Sequence, residues 1–242
     1  MKEARSVIIK RFFFIIVVCL SVLTFSSCGG GSTGSGVSSD SDYNYLYRHN
    51  AINLGGYTQR WNSSVIQVSG ATGHWKEAVD RWPTVSFDHV SSAPTEGNGI
   101  EILGYEDIGS TCGIATYSVF SSGLMASCKI QINQNIDKMN CGLKGTTMTH
   151  EVGHCLGFFG HTTDGGLMDK TATGSSEITI PVRNMISLLY SLSPGTDINS
   201  KISGTSSQLS VHNKKYETNG KKRYFGVIRL LENGVTQIDV LN

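Results

Sequence analysis

Proline is scarce in this sequence, with four in 242 residues, and the charged side chains of Asp, Glu, Lys and Arg make up only 16% of it. The formal net charge is +1. So even a balance leaves no electrostatic footprint for nucleic acid or for an acidic partner. No apolar run reaches the roughly 20 residues that a membrane-spanning helix needs. The six cysteines lie far apart, and none pair at the short spacings of a structural zinc site. There is no internal repeat. What is abundant is glycine, 28 residues, together with frequent serine. Such a composition suits a loop-rich exported protein better than a cytosolic helical one.

The first residues agree with export. Lys2, Arg5, Lys10 and Arg11 form a basic leader, and Phe12 to Leu23 is almost free of polar groups. Together they have the charged n-region and apolar h-region of a signal peptide, residues 1–27. Phe25-Ser26-Ser27-Cys28 follows and resembles a bacterial lipobox, with Phe25 where the usual leucine stands. That resemblance implies diacylation of Cys28, cleavage just before it, and anchoring to a membrane without spanning it. The Gly/Ser-rich segment that completes 28–42 reads as a flexible tether. An exported bacterial lipoprotein at the outer membrane or cell surface is expected, since no Asp follows Cys28.

With Cys19 in the leader and Cys28 as the lipid site, Cys112, Cys128, Cys141 and Cys155 remain. Four thiols in an oxidising compartment suggest two disulfides, with three possible connectivities. The sequence-local pairs Cys141–Cys155 and Cys112–Cys128 are the expectation.

Hydrophobic periodicity outlines the folded part, which is expected to begin near Tyr43. Val65 to Val68 alternates like a strand. Trp75, Ala78, Val79 and Trp82 fall at helical spacing before Pro83. Val85 to Val90 and Ile100 to Tyr105 read as further strands, and the pattern stays extended from Gly113 to Ile136. A helix from about Gly145 to Leu156 presents Met148, Val152 and Cys155 on its apolar face and stops at Gly157. A second helix runs from Pro181 to Leu192. Tyr224 to Leu231 and Val235 to Leu241 flank Glu232-Asn233-Gly234, a hairpin turn. The order is α+β.

Chemistry concentrates in His150-Glu151-Val152-Gly153-His154, with His161 nearby. Histidines four apart on a helix share a face, so both imidazoles can reach one ion. Zinc favours neutral nitrogen ligands, and a catalytic site leaves one position open for water. Glu151, beside the first histidine, can take that water's proton as it attacks a carbonyl.

The run HEVGHCLGFFGHTTDGGLMD is similar to the metzincin clan of zinc peptidases, whose pattern is HExxHxxGxxH followed by a Met-turn. Within the clan it most resembles the matrixins and the bacterial HEIGH-type metallopeptidases. The likeness is tight over about 20 residues and looser over roughly 43–195, where the order of elements also fits, within a catalytic domain expected over 43–200. It does not cover a C-terminal β extension, residues 201–242. The resemblance implies a twisted mixed sheet, an active-site helix, a Met-turn and a C-terminal helix. It also implies one zinc ion held by His150 and His154, Glu151 as general base, and Met168 as the Met-turn residue. The clan's third ligand falls at Gly160 here, one residue before His161. His161 is expected to take that role, with Asp164 as the substitute.

These readings predict a monomeric zinc endopeptidase acting on protein or peptide substrates. Substrate is expected to add as a strand along a sheet edge formed by Leu124 to Asn133. Two rivals stand beside it: a lipid-anchored binding protein or adhesin on a degenerate peptidase fold, and a zinc amidohydrolase acting on cell-wall peptides. His49, His74, His89 and His212 are isolated and read as surface or satisfied histidines. Lys214, Lys215, Lys221, Lys222 and Arg223 read as a solvated hairpin tip, and Trp61, Trp75 and Trp82 as core.

Overall fold

The structure, a computed structural model, describes residues 40–171, 175–202, 223–232 and 236–241. The proposed leader, Cys28, His212, most of the lysine cluster and the tip of the C-terminal hairpin lie outside the described residues. Among those described, no helix is long and apolar enough to cross a membrane.

Regular structure reaches at least three residues into the segment read as tether. Asp40–His49 is helix α1, reaching back into residues assigned to the linker. Asp42, in its first turn, suits the positive end of a helix. Leu46 and Tyr47 are buried on its inner side.

The sheet follows the alternation in the sequence. Its strands are β1 (Val65–Ser69), β2 (Ser86–Val90), β3 (Gly99–Glu106), β4 (Thr111–Phe120), β5 (Met125–Asn133), β6 (Arg223–Leu231) and β7 (Thr236–Leu241). The spatial order is β2-β1-β3-β5-β4-β6-β7. The first four strands in that order run parallel, and β4, β6 and β7 each run antiparallel to their neighbours. The fold is therefore α+β around a mixed sheet.

This order corrects one expectation. Leu124–Asn133 is not an edge, because β5 is paired with β3 on one side and β4 on the other. Its continuous burial suits an interior strand, with Met125, Cys128, Ile130 and Ile132 all essentially inaccessible. The C-terminal strands β6 and β7 extend the same sheet beyond β4.

Helix α2, His74–Val79, packs against helix α3, Lys144–Cys155, which packs on β4 and β5. Helix α2 is short, and Trp82 lies in the turn after it yet is buried. Helix α3 is buried along nearly its whole length. Two indoles brace it: Trp82 Nε1 donates to the Thr149 carbonyl at 3.0 Å and Trp61 Nε1 to that of Cys155 at 2.8 Å. Trp75 is buried as well, so all three tryptophans are core. Helix α4, Ile180–Ser191, carries Pro181 in its first turn, as predicted, and buries Val182, Met185, Ile186 and Leu189.

Both disulfides form, but between different partners from those expected: Cys112–Cys141 and Cys128–Cys155. Rigid elements exclude the local pairs. Cys128 faces Tyr117 across the β4–β5 ladder, five residues from Cys112, which is about 17 Å along a strand. Cys141 and Cys155 lie at opposite ends of α3, roughly 18 Å apart at its rise per residue. The observed bridges instead tie the start of β4 to the approach to α3, and β5 to the end of α3.

Candidate metal centre

Helix α3 ends in a sharply defined turn that aims the next segment back at the helix. Gly157 N–H donates to the His154 carbonyl at 3.0 Å and Phe158 N–H to that of Gly153 at 3.1 Å, while Gly157 has φ 103°. This paired closure needs a residue with positive φ just past the helix, a conformation glycine adopts without cost. Asn50 secures the turn from outside: its side-chain amide donates to the carbonyls of Gly157 at 2.8 Å and Gln59 at 2.7 Å.

Beyond the turn, the chain delivers His161 to the helix. Its Nε2 lies 3.0 Å from Nε2 of His150 and 3.2 Å from that of His154, and the latter two are 3.1 Å apart. These three nitrogens could hold a metal ion. An ion at about 2.0–2.1 Å from each in tetrahedral geometry would separate them by roughly 3.3–3.4 Å, close to what is found.

Protonation supports the fit. His150 Nδ1 stands 2.6 Å from the Leu167 carbonyl and His154 Nδ1 2.6 Å from that of Phe158. A carbonyl only accepts, so both rings carry their proton on Nδ1 and leave Nε2 bare. Bare lone pairs 3.1 Å apart repel unless a cation lies between them. Orientation of metal-binding imidazoles by backbone carbonyls is a recurrent arrangement.

Electrostatics point the same way. His150 is held neutral, its pKa lowered to about 4 by burial against the weaker pull of the Leu167 carbonyl and Asp169. Burial pushes His154 and His161 well below the usual histidine range, and the neighbouring imidazoles push them further. Neutral imidazole is the ligating form.

Glu151 is 0% exposed, and neither carboxylate oxygen has a hydrogen-bond partner. Burial drives its pKa well above the ordinary value. The first residues of β4 stand over it: a Cβ on Gly113 would lie 2.5 Å from Glu151 Oε1. An orphaned buried carboxylate beside three converging imidazoles fits a site that handles protons next to a cation.

Met168 is buried, and its sulfur would meet a Cβ on Gly153 at 2.6 Å, so it lies against the helix between the two histidine positions. Asp164 does not join the cluster. It accepts from Thr162 Oγ1 at 2.6 Å, from Gly166 N–H at 3.0 Å and from Thr179 Oγ1 at 2.8 Å. Asp169 is likewise engaged, accepting from Gly165 N–H and from both the N–H and hydroxyl of Thr171.

Of the isolated histidines, His89 pairs with Asp80 at 2.8 Å, and Nε2 of His74 lies 3.4 Å from the Tyr105 hydroxyl. His49 is more involved than its isolation suggests. Its ring stacks on Phe158 at 4.7 Å and abuts Gly160, where a Cβ would come within 2.5 Å of its Nδ1. The sequence gives no sign of Gly113 over Glu151 or of the two orienting carbonyls. A backbone carbonyl carries no side-chain signal, and Gly113 acquires its meaning only from the sheet.

No protein-family model matches the sequence, and no curated protein matches it.

Proposed function

We propose that this chain is a zinc-dependent endopeptidase of the metzincin type. The observation that carries the reading is the meeting of three imidazole Nε2 atoms within 3.0–3.2 Å beside a buried, unpartnered carboxylate. The resemblance of residues 150–169 to the metzincin pattern supports it from the sequence side, as does the seat of Met168 beneath the helix.

A bound zinc ion would supply a Lewis acid that activates water near neutral pH, polarises a carbonyl and favours the ionised form of a neighbouring carboxylate. The chain's own residues do the rest. His150 and His154 present nitrogens in fixed tautomers, and His161 supplies the third, so little reorganisation is needed. Glu151 takes one proton from water as its oxygen bonds to the peptide carbonyl carbon. It then returns that proton to the amide nitrogen as the C–N bond breaks, and the second water proton also passes to the departing amine, releasing a carboxylate and an ammonium group. The buried setting keeps bulk water from competing for the carboxylate.

Lipid attachment at Cys28 belongs to the same reading and would place the peptidase at a membrane surface. Casein digestion tests the chemistry. Wild type should cleave in a chelator-sensitive way, and Glu151→Gln should bind zinc yet lose cleavage by at least about a hundredfold. Equal cleavage by Glu151→Gln would rule out its role as the base. A folded chain that takes up no metal would favour the binding-protein alternative.

A further inference from the structure

Strands β5 and β4 pack on α3, the helix that carries His150, Glu151 and His154, and of the two β4 is the one that adjoins the C-terminal strands. It is also the strand that reaches the site, since Gly113 stands over Glu151. An extended peptide presented to that carboxylate would gain main-chain hydrogen bonds by adding to β4. That edge is taken. Strand β6 pairs with β4 from Thr111↔Leu231 to Phe120↔Arg223, and Leu230 lies opposite Gly113, one strand spacing from the residue above the general base.

We propose that β6 is an intramolecular occupant of the peptide-binding edge, so that the folded chain is self-blocked and acts on extended peptides only when the β6–β7 hairpin leaves β4. This rests on the peptidase reading. The substrate class it names is an unfolded or extended segment that runs antiparallel to β4, along the path β6 now follows.

The hairpin is built to be separable. Its main neighbours among the described elements are β4 and its own partner strand, whereas β4 and β5 are packed on α3. A two-stranded hairpin standing alone is marginal, so this one depends on the β4 ladder, on the burial of Tyr224, Ile228 and Leu230, and on ties at its ends from Arg223 to Glu96 and from Asn140 N–H to the Glu232 carboxylate. At the middle of β6 stands Gly226, opposite Tyr117, where a Cβ would lie 2.3–2.5 Å from that ring. Tyr117 cannot yield readily, because it is buried and stacked on Phe159 at 4.3 Å. A glycine weakens a strand interior, and here it is the only residue that lets β6 close over Tyr117.

Two full-length variants move the hairpin in opposite directions. Gly226→Val places a branched side chain against Tyr117 and should drive β6 off. Thr116→Cys with Val227→Cys joins residues that face each other in the ladder and should lock it on. Thr116 and Val227 are only partly buried, unlike the four native cysteines, so mild reductant opens the engineered bridge first.

Casein cleavage, zinc content and native-state hydrogen exchange are read on each form. The expected result is a rise in kcat/KM on the order of tenfold or more for Gly226→Val, as the open population grows. The locked form should be nearly silent and recover on reduction. The amides of β6 should exchange through an opening of lower free energy than those of β5. Equal cleavage by wild type, Gly226→Val and the locked form overturns the blocked edge and leaves the peptidase standing. Exchange of β6 only together with β5 overturns it too, because the hairpin is then a permanent part of the fold. One zinc per chain with no cleavage by any form overturns the peptidase reading, and the blocked edge falls with it.

Discussion

His161 brings its Nε2 to 3.0 Å from that of His150, although it stands one residue later than the metzincin pattern places a third ligand. The turn at Gly157 explains how. The helix must keep its register to hold His150 and His154 on one face, but the segment after it has no such constraint and absorbs the extra residue. Gly160, at the position the pattern gives to the ligand, lies instead against the His49 ring.

Asp164 should therefore be dispensable for metal and useful for stability. Asp164→Ala removes the acceptor for Thr162, Gly166 and Thr179. It should lower thermal stability by roughly 1 kcal/mol for an exposed turn carboxylate while zinc stoichiometry stays unchanged. Loss of zinc in Asp164→Ala would move the third ligand to that residue.

Gly153 should not tolerate a side chain. A Cβ there would meet Trp82 at 2.5 Å and the Met168 sulfur at 2.6 Å. Gly153→Ala gains helix propensity yet should lose on the order of 1–3 kcal/mol through overpacking. Chemical denaturation measures the balance, and a stabilised Gly153→Ala would mean that the helix is not pressed on Met168.

The bridges should be found as Cys112–Cys141 and Cys128–Cys155 by peptide mapping under non-reducing conditions. Each closes a loop of nearly 30 residues, so removing Cys128 and Cys155 together should cost roughly 3–4 kcal/mol. Because Cys155 adjoins His154, zinc affinity should fall in the same variant.

Acid should destabilise the metal-free chain in a defined window. His150 and His49 have pKa values lowered to about 4, by burial first, whereas the unfolded value is 6.5. The unfolded chain thus binds more protons between those values. Stability from these groups is complete above pH 6.5 and is lost as pH falls from 6.5 through 4. For His150 the loss is on the order of 3 kcal/mol. Glu151 has the opposite sign: its raised pKa penalises the metal-free fold as pH rises above the carboxylate range. Metal-free Glu151→Gln should then melt higher than metal-free wild type at about pH 7 and converge with it near pH 4. Parallel melting curves across that range would contradict the assignment.

Much of this site is legible in the sequence, because its core lies on one helix. The i, i+4 spacing of His150 and His154, the stop at Gly157 and the apolar face of Met148, Val152 and Cys155 are local features. Helix α3 accordingly falls within a residue of its predicted bounds. Sheet order is not local. The alternation of Lys129 to Asn133 identifies a strand but not its neighbours, so nothing in it separates an interior strand from the expected edge. The disulfide partners are hidden for the same reason. Sequence proximity favours the local pairs, while the extended ladder and the rigid helix hold those cysteines apart. Helix α1 escapes a reading of composition because Asp40 to Tyr43 continues the polar character of the segment that precedes it. The role of β6 depends on which strand it joins, and no residue in Arg223–Leu231 announces that.

Zinc content by elemental analysis, on full-length wild type and His161→Ala purified side by side, is the measurement to make first. One zinc per wild-type chain, lost or weakened by several orders of magnitude in His161→Ala while both remain folded, is the predicted result. Folded wild type without zinc after exposure to excess metal, or His161→Ala with full zinc, would contradict a three-histidine centre.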